Sequence, residues 1–392
     1  MKKSNYKWVV LAIVCLAIFS PNYAQYQLAP IAPQLMTTYN LSMTQFSSVF
    51  SAPMIPAIFL SLVAGLLVDK FGVKRVISIG LIITAIGICL RVTATDYTTL
   101  LIYMILAGVG ATFLNSNGAK IMGNYFEPEK ISMAMSVFLA SATLAMTLGM
   151  ATTGLYPSIR IAFICAGIIS VIGAVLWIVF VKDPKVEEDG IPKAPASIKE
   201  SLKIVTKNKT IWIVGFCLMG VLACNVAISS FLPTALVGRA IDPVTAGFYA
   251  SIMTLGSLVG CLTSPIIVSK VGKMKPVMLV LGVIATVGGA LFWSAPEGIM
   301  LGAGLFVFGA ALSGLMPLLM SIPIQLPEIG PEYAGTAGGF TGTLQLLGAV
   351  VIPTYIITPI AGPNMNVFFI LAGVCMAVTS VLVLFLPELM KK

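Results

Sequence analysis

The residues of this chain best suited to doing chemistry carry no charge. Asn22, Tyr23, Gln25 and Tyr26 lie near the middle of one long apolar run. Asn225, followed one turn on by Ser229 and Ser230, lies near the middle of another. Other runs hold Asn115, Ser116 and Asn117, then Thr143 and Thr147, then Ser313, and finally Thr341, Thr343 and Gln345. Amides and hydroxyls donate and accept hydrogen bonds while neutral. Their chemistry is to grip a polar solute or to tie neighbouring helices together. We take Asn22, Tyr23, Tyr26, Asn115, Asn225 and Gln345 as the candidate solute-binding residues, with Tyr26 packing and the others donating or accepting hydrogen bonds.

What is missing excludes as much. The fourteen Asp and Glu all fall in loops or at the ends of apolar runs, and there is no His. Buried Asp, Glu and His are the usual proton relays of membrane transport. A relay through a buried side chain is therefore not expected, nor is a buried carboxylate for a cationic drug. The seven cysteines, Cys15, Cys89, Cys165, Cys217, Cys224, Cys261 and Cys375, each sit inside an apolar run without a CxxC pair. They read as small core residues. No nucleophile is paired with a base, no metal-ligating cluster appears, and no G-x-x-x-x-G-K-[ST] phosphate loop is present. The pattern points away from an enzyme, a cofactor, a bound metal and a nucleotide-driven pump.

The elements that must position these residues follow from composition. The 392 residues are 58% hydrophobic and 9% charged, whereas a soluble domain carries about 25% charged residues. A spanning helix needs about 20 apolar residues. Twelve such runs can be marked out, at 8–33, 46–68, 76–94, 98–122, 131–155, 161–181, 211–237, 245–268, 276–293, 299–322, 333–357 and 367–386. Gly108, Gly110, Gly302, Gly304, Gly335, Gly338 and Gly339 suit close approach of helices. The apolar stretch after Lys7 lacks an A-x-A cleavage site and reads as a retained first helix. Of 23 Lys and Arg, twenty fall on the side of the N-terminus and three, Arg91, Arg160 and Arg239, on the other. That asymmetry places both termini in the cytoplasm. It also accounts for the net charge of +9 without nucleic acid. The three arginines opposite, and Lys120 near the inner end of the fourth run, are expected to snorkel to the interface. The fold class expected is all-α, with twelve transmembrane helices in a lipid bilayer.

One polar stretch, Gly65-Leu-Leu-Val-Asp69-Lys70-Phe-Gly72-Val-Lys74-Arg75, separates the second and third runs. Its four charges within seven residues cannot sit in hydrocarbon. It resembles the signature G-x-x-x-D-[RK]-x-G-x-[RK]-[RK] of the loop between helices 2 and 3 of the major facilitator superfamily. The resemblance implies that Asp69 caps and pairs with neighbouring helix ends and that the basic residues grip the cytoplasmic face. Gly65, Asp69, Lys70, Gly72 and Arg75 would then gate the conformation, favouring the outward-open state, without binding substrate. Residues 265–275 repeat the stretch in degenerate form, with Lys270 and Gly272 in place of Lys70 and Gly72 and Ser269 in place of Asp69. A polar stretch at 182–209, with Glu187, Glu188, Asp189, Pro192 and Pro195, divides six runs from six. Within it, 197–205 suits an amphipathic helix at the membrane surface. The expected organisation is a six-helix bundle over 1–181, a cytoplasmic linker over 182–209 and a second six-helix bundle over 210–392. Such pseudo-symmetric halves house a solute site near the membrane midplane. Asn22 and Asn225, 203 residues apart, are expected at repeat-related positions in them.

The stretch from Gly108 to Lys130, with its Asn-Ser-Asn-Gly and Tyr-Phe-Glu-Pro turns, is similar to the fourth-helix segment of the nitrate/nitrite, cyanate and organic-anion branches. The chain departs from nitrate porters in having no mid-helix Arg in its second and eighth runs. It departs from oxalate exchangers in having no basic residue within its eighth or eleventh. Met150-Ala-Thr-Thr-Gly154 stands where proton-driven drug exporters have G-P-x-x-G-G. The resemblance implies a monomer in the bacterial plasma membrane and secondary active or facilitative transport of a small-molecule substrate, a small polar solute and an organic or inorganic anion first, by alternating access. Export of amphipathic drugs or lipids is the alternative, since twenty Met and twenty Phe supply an apolar cavity. A non-transporting receptor is a third class.

Overall fold

The computed structural model describes residues 3–182 and 198–388. Among these, the regular elements are all helical. The first eight helices are α1 (Lys3–Tyr26), α2 (Ala32–Thr38), α3 (Met43–Ser51), α4 (Ile55–Phe71), α5 (Val73–Leu90), α6 (Tyr97–Tyr125), α7 (Pro128–Thr153) and α8 (Ile159–Phe180). There follow α9 (Ile198–Lys207), α10 (Lys209–Gly238), α11 (Pro243–Val271), α12 (Met274–Leu291), α13 (Ile299–Gln325), α14 (Gly330–Val351), α15 (Thr358–Ala361) and α16 (Met365–Leu384). Tight 3-10 turns occupy Ala52–Met54, Arg91–Thr93 and Phe292–Ser294, and a wide π turn occupies Ile352–Ile357. Twelve helical segments among the described residues are long and apolar enough to cross a membrane. The second joins α3 to α4 through its 3-10 turn, and the eleventh runs from α14 into α15. Glu187, Glu188, Asp189, Pro192 and Pro195 lie outside the described residues.

The chain packs as two compact units. One gathers the described part of Met1–Val186 with Leu236–Ser251, and the other gathers the described part of Glu187–Ala235 with Ile252–Lys392.

Local chemistry sets where helices stop. The expected first span, 8–33, is broken, because α1 ends at Tyr26 and residues 27–31 form a turn before α2. Pro30 pushes the residue before it out of the helical region, and Pro33 has no N–H to continue the ladder. The polar stretch 65–75, expected as a loop, is helical except for Gly72. That residue, at φ 84°, alone joins α4 to α5. Only glycine takes this conformation without strain, and Gly272 repeats it at φ 74° after α11. α2 and α10 end alike. Leu41 N–H donates back to Met36 O at 2.9 Å and Ile241 N–H to Leu236 O at 3.2 Å. Each closure passes through a left-handed residue, Asn40 or Ala240. Ser42 and Asp96 open α3 and α6 with reciprocal side-chain caps.

Close backbone approaches at glycine recur in both units. A Cβ on Gly108 of α6 would collide with the carbonyl oxygen of Pro53, and one on Gly309 of α13 with that of Met253 in α11. Gly335, Gly338 and Gly339 meet nothing within 4 Å, so the packing role expected of them is not what they do here.

At the start of α1 the chain is knotted to the ends of α6 and α8. The Tyr6 hydroxyl donates to Phe180 O at 2.9 Å and accepts from Lys182 N–H at 2.8 Å. The Tyr125 hydroxyl donates to Lys182 O at 2.6 Å. Lys7 Nζ reaches both carboxylate oxygens of Glu127, at 2.9 and 3.0 Å. The second unit places Asn208 Nδ2 on Glu328 Oε2 at 2.5 Å and the Glu388 carboxylate on Met274 N–H at 2.8 Å. The helix expected at 197–205 is present as α9. It packs on α14, buries Val205 and uses Thr206 O to accept the Trp212 indole N–H at 2.8 Å.

Candidate solute site

The break after α1 creates the polar chemistry of the first unit. Leu28 N–H turns back to Gln25 O at 3.1 Å instead of reaching Ala24 O. The freed Ala24 carbonyl accepts from Arg91 Nη1 at 2.8 Å. Arg91 also donates from Nε to Ile88 O at 3.2 Å and from Nη2 to Gln27 Oε1 at 3.4 Å, and its guanidinium lies 4.5 Å from the centre of the Phe163 ring. Gln27 Nε2 donates in turn to Ala162 O at 2.8 Å. Gln25 Nε2 does a similar service for Phe50 O, at 2.9 Å, where α3 gives way to its 3-10 turn.

Arg91 is therefore not the snorkelling residue its place in the sequence suggests. Its exposure is 0%, and it is the one charged side chain that is fully buried among the described residues. The reason is electrostatic. The carbonyls of Ala24 and Ile88 belong to the C-terminal ends of α1 and α5, each equivalent to roughly half a negative charge. Two such ends and an aromatic face replace the water that snorkelling would supply. Arg160 and Lys120, by contrast, are exposed.

The six candidate binding residues divide by environment. Tyr23 and Tyr26 are buried. The Tyr23 hydroxyl shares hydrogen bonds with Thr152 Oγ1 at 2.8 Å and Tyr156 Oη at 3.0 Å, and its ring stacks on Phe19. Burial, reinforced by that Tyr23 contact, pushes the Tyr156 phenol well above its ordinary value. Tyr26 packs edge-on to Phe50 at 5.4 Å. Asn22 is half-buried and commits one of its two amide N–H groups to Ile18 O at 2.8 Å. Asn115 is exposed on α6, two residues before the buried Asn117, which bonds to Phe113 O. Asn225 on α10 and Gln345 on α14 are half-buried. One turn beyond Asn225, the buried hydroxyl of Ser229 has no hydrogen-bond partner among the described residues, while Ser230 bonds to Ala227 O.

The spacing of Asn22 and Asn225 is not the repeat. α5 and α12 begin 201 residues apart, at Val73 and Met274. The contacts Lys7–Glu127 and Asn208–Glu328 are also offset by 201 at both ends. On that register Asn22 corresponds to Ala223 and Asn225 to Ala24. A slip of two residues turns a helix by about 200°, so the two amides do not occupy equivalent faces.

Of the gating set, Lys70 and Arg75 are exposed, with the Lys70 ammonium 5.2 Å from the Phe71 ring centre. A Cβ on Gly65 would meet open space, Gly72 makes the turn, and the side chain of Asp69 lies outside the described residues. Reading the sequence missed Arg91, Gln27, Thr152 and Tyr156. Arg91 did leave a trace, because it abuts Leu90 with no polar residue between it and the apolar run. Two grooves between α5 and α8, of about 360 and 280 Å³, are lined by apolar side chains and Cys89 and present no donor to a polar solute.

Comparison with known proteins fits this architecture. Residues 10–353 match the family model of the Major Facilitator Superfamily. The chain is 22% identical over 362 residues to the uncharacterized transporter YycB of Bacillus subtilis (strain 168), covering 91% of this chain and 87% of that protein. It is 26% identical over 195 residues to the hexuronate transporter of the same organism, covering 47% of this chain and 46% of that relative, less than half of either. The crystal structure of the nucleoside transporter NupG is similar in fold, with a TM-score of 0.78 over 97% of this chain and 98% of that one, at 17% identity.

Proposed function

The chain belongs to the Major Facilitator Superfamily, a family of multi-pass membrane transporters, and on that premise we propose that it carries a small organic or inorganic anion across the bacterial plasma membrane by alternating access. One observation supports the sign of the charge. Arg91 is fully buried within a spanning segment, and no Asp or Glu among the described residues is. A buried cation held by helix carbonyls, with no buried carboxylate among the described residues, disfavours a cationic solute. The hexuronate transporter points the same way, since a hexuronate is a small sugar carboxylate.

In this reading Asn22, Asn115, Asn225 and Gln345 donate to the solute's oxygens. Tyr23 and Tyr26, which are buried, shape the wall beside them, with the Tyr23–Thr152–Tyr156 hydroxyls as a polar reserve. Gly65, Asp69, Lys70, Gly72 and Arg75 act on the conformational change and not on the solute. Both termini face the cytoplasm, on the side that holds twenty of the 23 basic residues.

The test is a thermal-shift screen of the purified protein against glucuronate, other small carboxylates, inorganic anions, neutral sugars and amphiphiles. A true ligand at a hundred times its Kd stabilises by about 2.7 kcal/mol. Stabilisation by a small anion alone is expected, followed by loss of its uptake in Asn225→Ala with the protein still in the membrane. Stabilisation by many amphiphiles, or normal uptake in that variant, removes the reading.

A further inference from the structure

Arg91 has a geometry that its charge alone does not require. An isolated cation within a span needs only some counter-dipole, yet this guanidinium is held in three directions and on one face. It reaches Ala24 O on α1, Ile88 O on α5, Gln27 in the turn and the Phe163 ring on α8. The Ala24 contact is specific to the break. Leu28 N–H, which would continue the helix ladder to Ala24 O, bonds to Gln25 O instead. Arg91 supplies the missing donor, as a side-chain cap on a helix C-terminus. Tyr23 immediately precedes Ala24, and Tyr26 closes the helix.

We infer that Arg91 is a positioning residue for solute binding, which fixes the end of α1 and through it the placement of Asn22, Tyr23 and Tyr26. The inference rests on the solute reading above for its functional half, and on the break of α1 for its structural half. A planar fork with five N–H groups can serve two carbonyls and an amide at once while stacking on a ring. A lysine ammonium on a flexible stem cannot. The substitution Arg91→Lys keeps the charge and loses the fork, so charge and geometry can be told apart.

The test takes the full chain, reconstituted in lipid, as wild type, Arg91→Met and Arg91→Lys. The first readout needs no solute: hydrogen exchange over residues 23–31, with 274–291 as internal control. Local openings in a stable protein report on the contacts that hold each segment. In Arg91→Met we expect exchange at 23–31 to rise about tenfold with the control unchanged, and in Arg91→Lys an intermediate rise. The second readout is uptake of labelled glucuronate. There Arg91→Met is expected to raise KM about tenfold with the maximal rate within about twofold, the mark of lost binding rather than lost turnover. Unchanged exchange at 23–31, equal loosening of both segments, or an unaltered KM would each overturn the inference. If Arg91→Met does not fold, Gln27→Met gives the same readouts at smaller amplitude, since it removes the acceptor for Nη2 and the donor to Ala162 O. Failure of the wild type to take up glucuronate counts against the solute reading alone, and the exchange data still decide the role of Arg91.

Discussion

The first six spans and the last six repeat at an offset of 201 residues between helix starts (274 − 73) and 200 at the turns (272 − 72), and satisfy it by different means. α5 and α12 are both 18 residues long, and each runs into a 3-10 turn, Arg91–Thr93 in one case and Phe292–Ser294 in the other. From each turn a side chain stacks on the last long helix of its half. Arg91 covers Phe163 at 4.5 Å, and Trp293 covers Phe369 at 4.7 Å. One pair is a cation on a ring and the other is two rings. The difference follows from the first helix of each half. α1 breaks and leaves a carbonyl to be served, whereas α10 runs unbroken for 30 residues. The same holds at Gln25, which serves Phe50 O at the end of α3. Its counterpart is Val226, fully buried in a helix that needs no such donor. In a duplicated architecture, the backbone contacts are repeated and the polar side chains follow the breaks.

The largest effects should come where the halves agree. Gly108→Leu and Gly309→Leu each drive a side chain into a backbone carbonyl of the neighbouring segment, and each should cost about 3 kcal/mol or more. Thermal unfolding in detergent measures this. If one is tolerated and the other not, the shared close approach is not a shared constraint.

Smaller effects should appear where the halves differ. Gln25→Leu strands the Phe50 carbonyl and should cost about 1–3 kcal/mol. Val226→Gln buries an amide without a partner made for it and should cost a similar amount. A neutral Gln25→Leu would show that broken helices here do not need side-chain donors. The turn after α10 offers a gain, because Ala240 sits at φ 65° where its counterpart is Asn40 at φ 51°. Ala240→Gly relieves a left-handed alanine and should stabilise by about 1 kcal/mol. A loss of stability there would mean the Ala240 methyl group has a packing role.

The smallest effect concerns the knot at Lys7. Its ammonium holds the Glu127 carboxyl down to about 2, from an ordinary value of 4.5, in a place where Asn208 meets Glu328 without a full charge. A depressed carboxyl stabilises the folded form above its unfolded value. That contribution fades as pH falls from about 4.5 toward 2. Lys7→Met should flatten the stability profile over that window, most visibly at low salt, since the pair is exposed and screened. A profile that stays as steep in Lys7→Met assigns the acid sensitivity to another carboxylate.

The fold was largely legible in the sequence, because hydrocarbon imposes one rule on every span. Twelve apolar runs and the repeated Gly72 and Gly272 sufficed for the helices and their register to within a few residues. The polar residues were legible only as a set. Asn22, Tyr23 and Tyr26 declare themselves by lying in an apolar run, but which of them is buried depends on where α1 breaks. That break turns on Pro30 and Pro33 together with a donor 67 residues from Ala24. Arg91 was misplaced for the same reason. Snorkelling is the rule for an arginine at a span end, and only the convergence of two helix C-termini, which no local pattern reveals, makes burial the better choice. The apparent pairing of Asn22 with Asn225 failed by two residues, a small slip in sequence that is more than half a turn on a helix.

Lys182 has a mechanical consequence. Its N–H is held by Tyr6 and its carbonyl by Tyr125, so the chain just after α8 sits in a collar formed by hydroxyls from two other helices. A tug along the connecting segment would load α1 and α6 before it could unwind the last turn of α8. The joint works like strain relief on a cable.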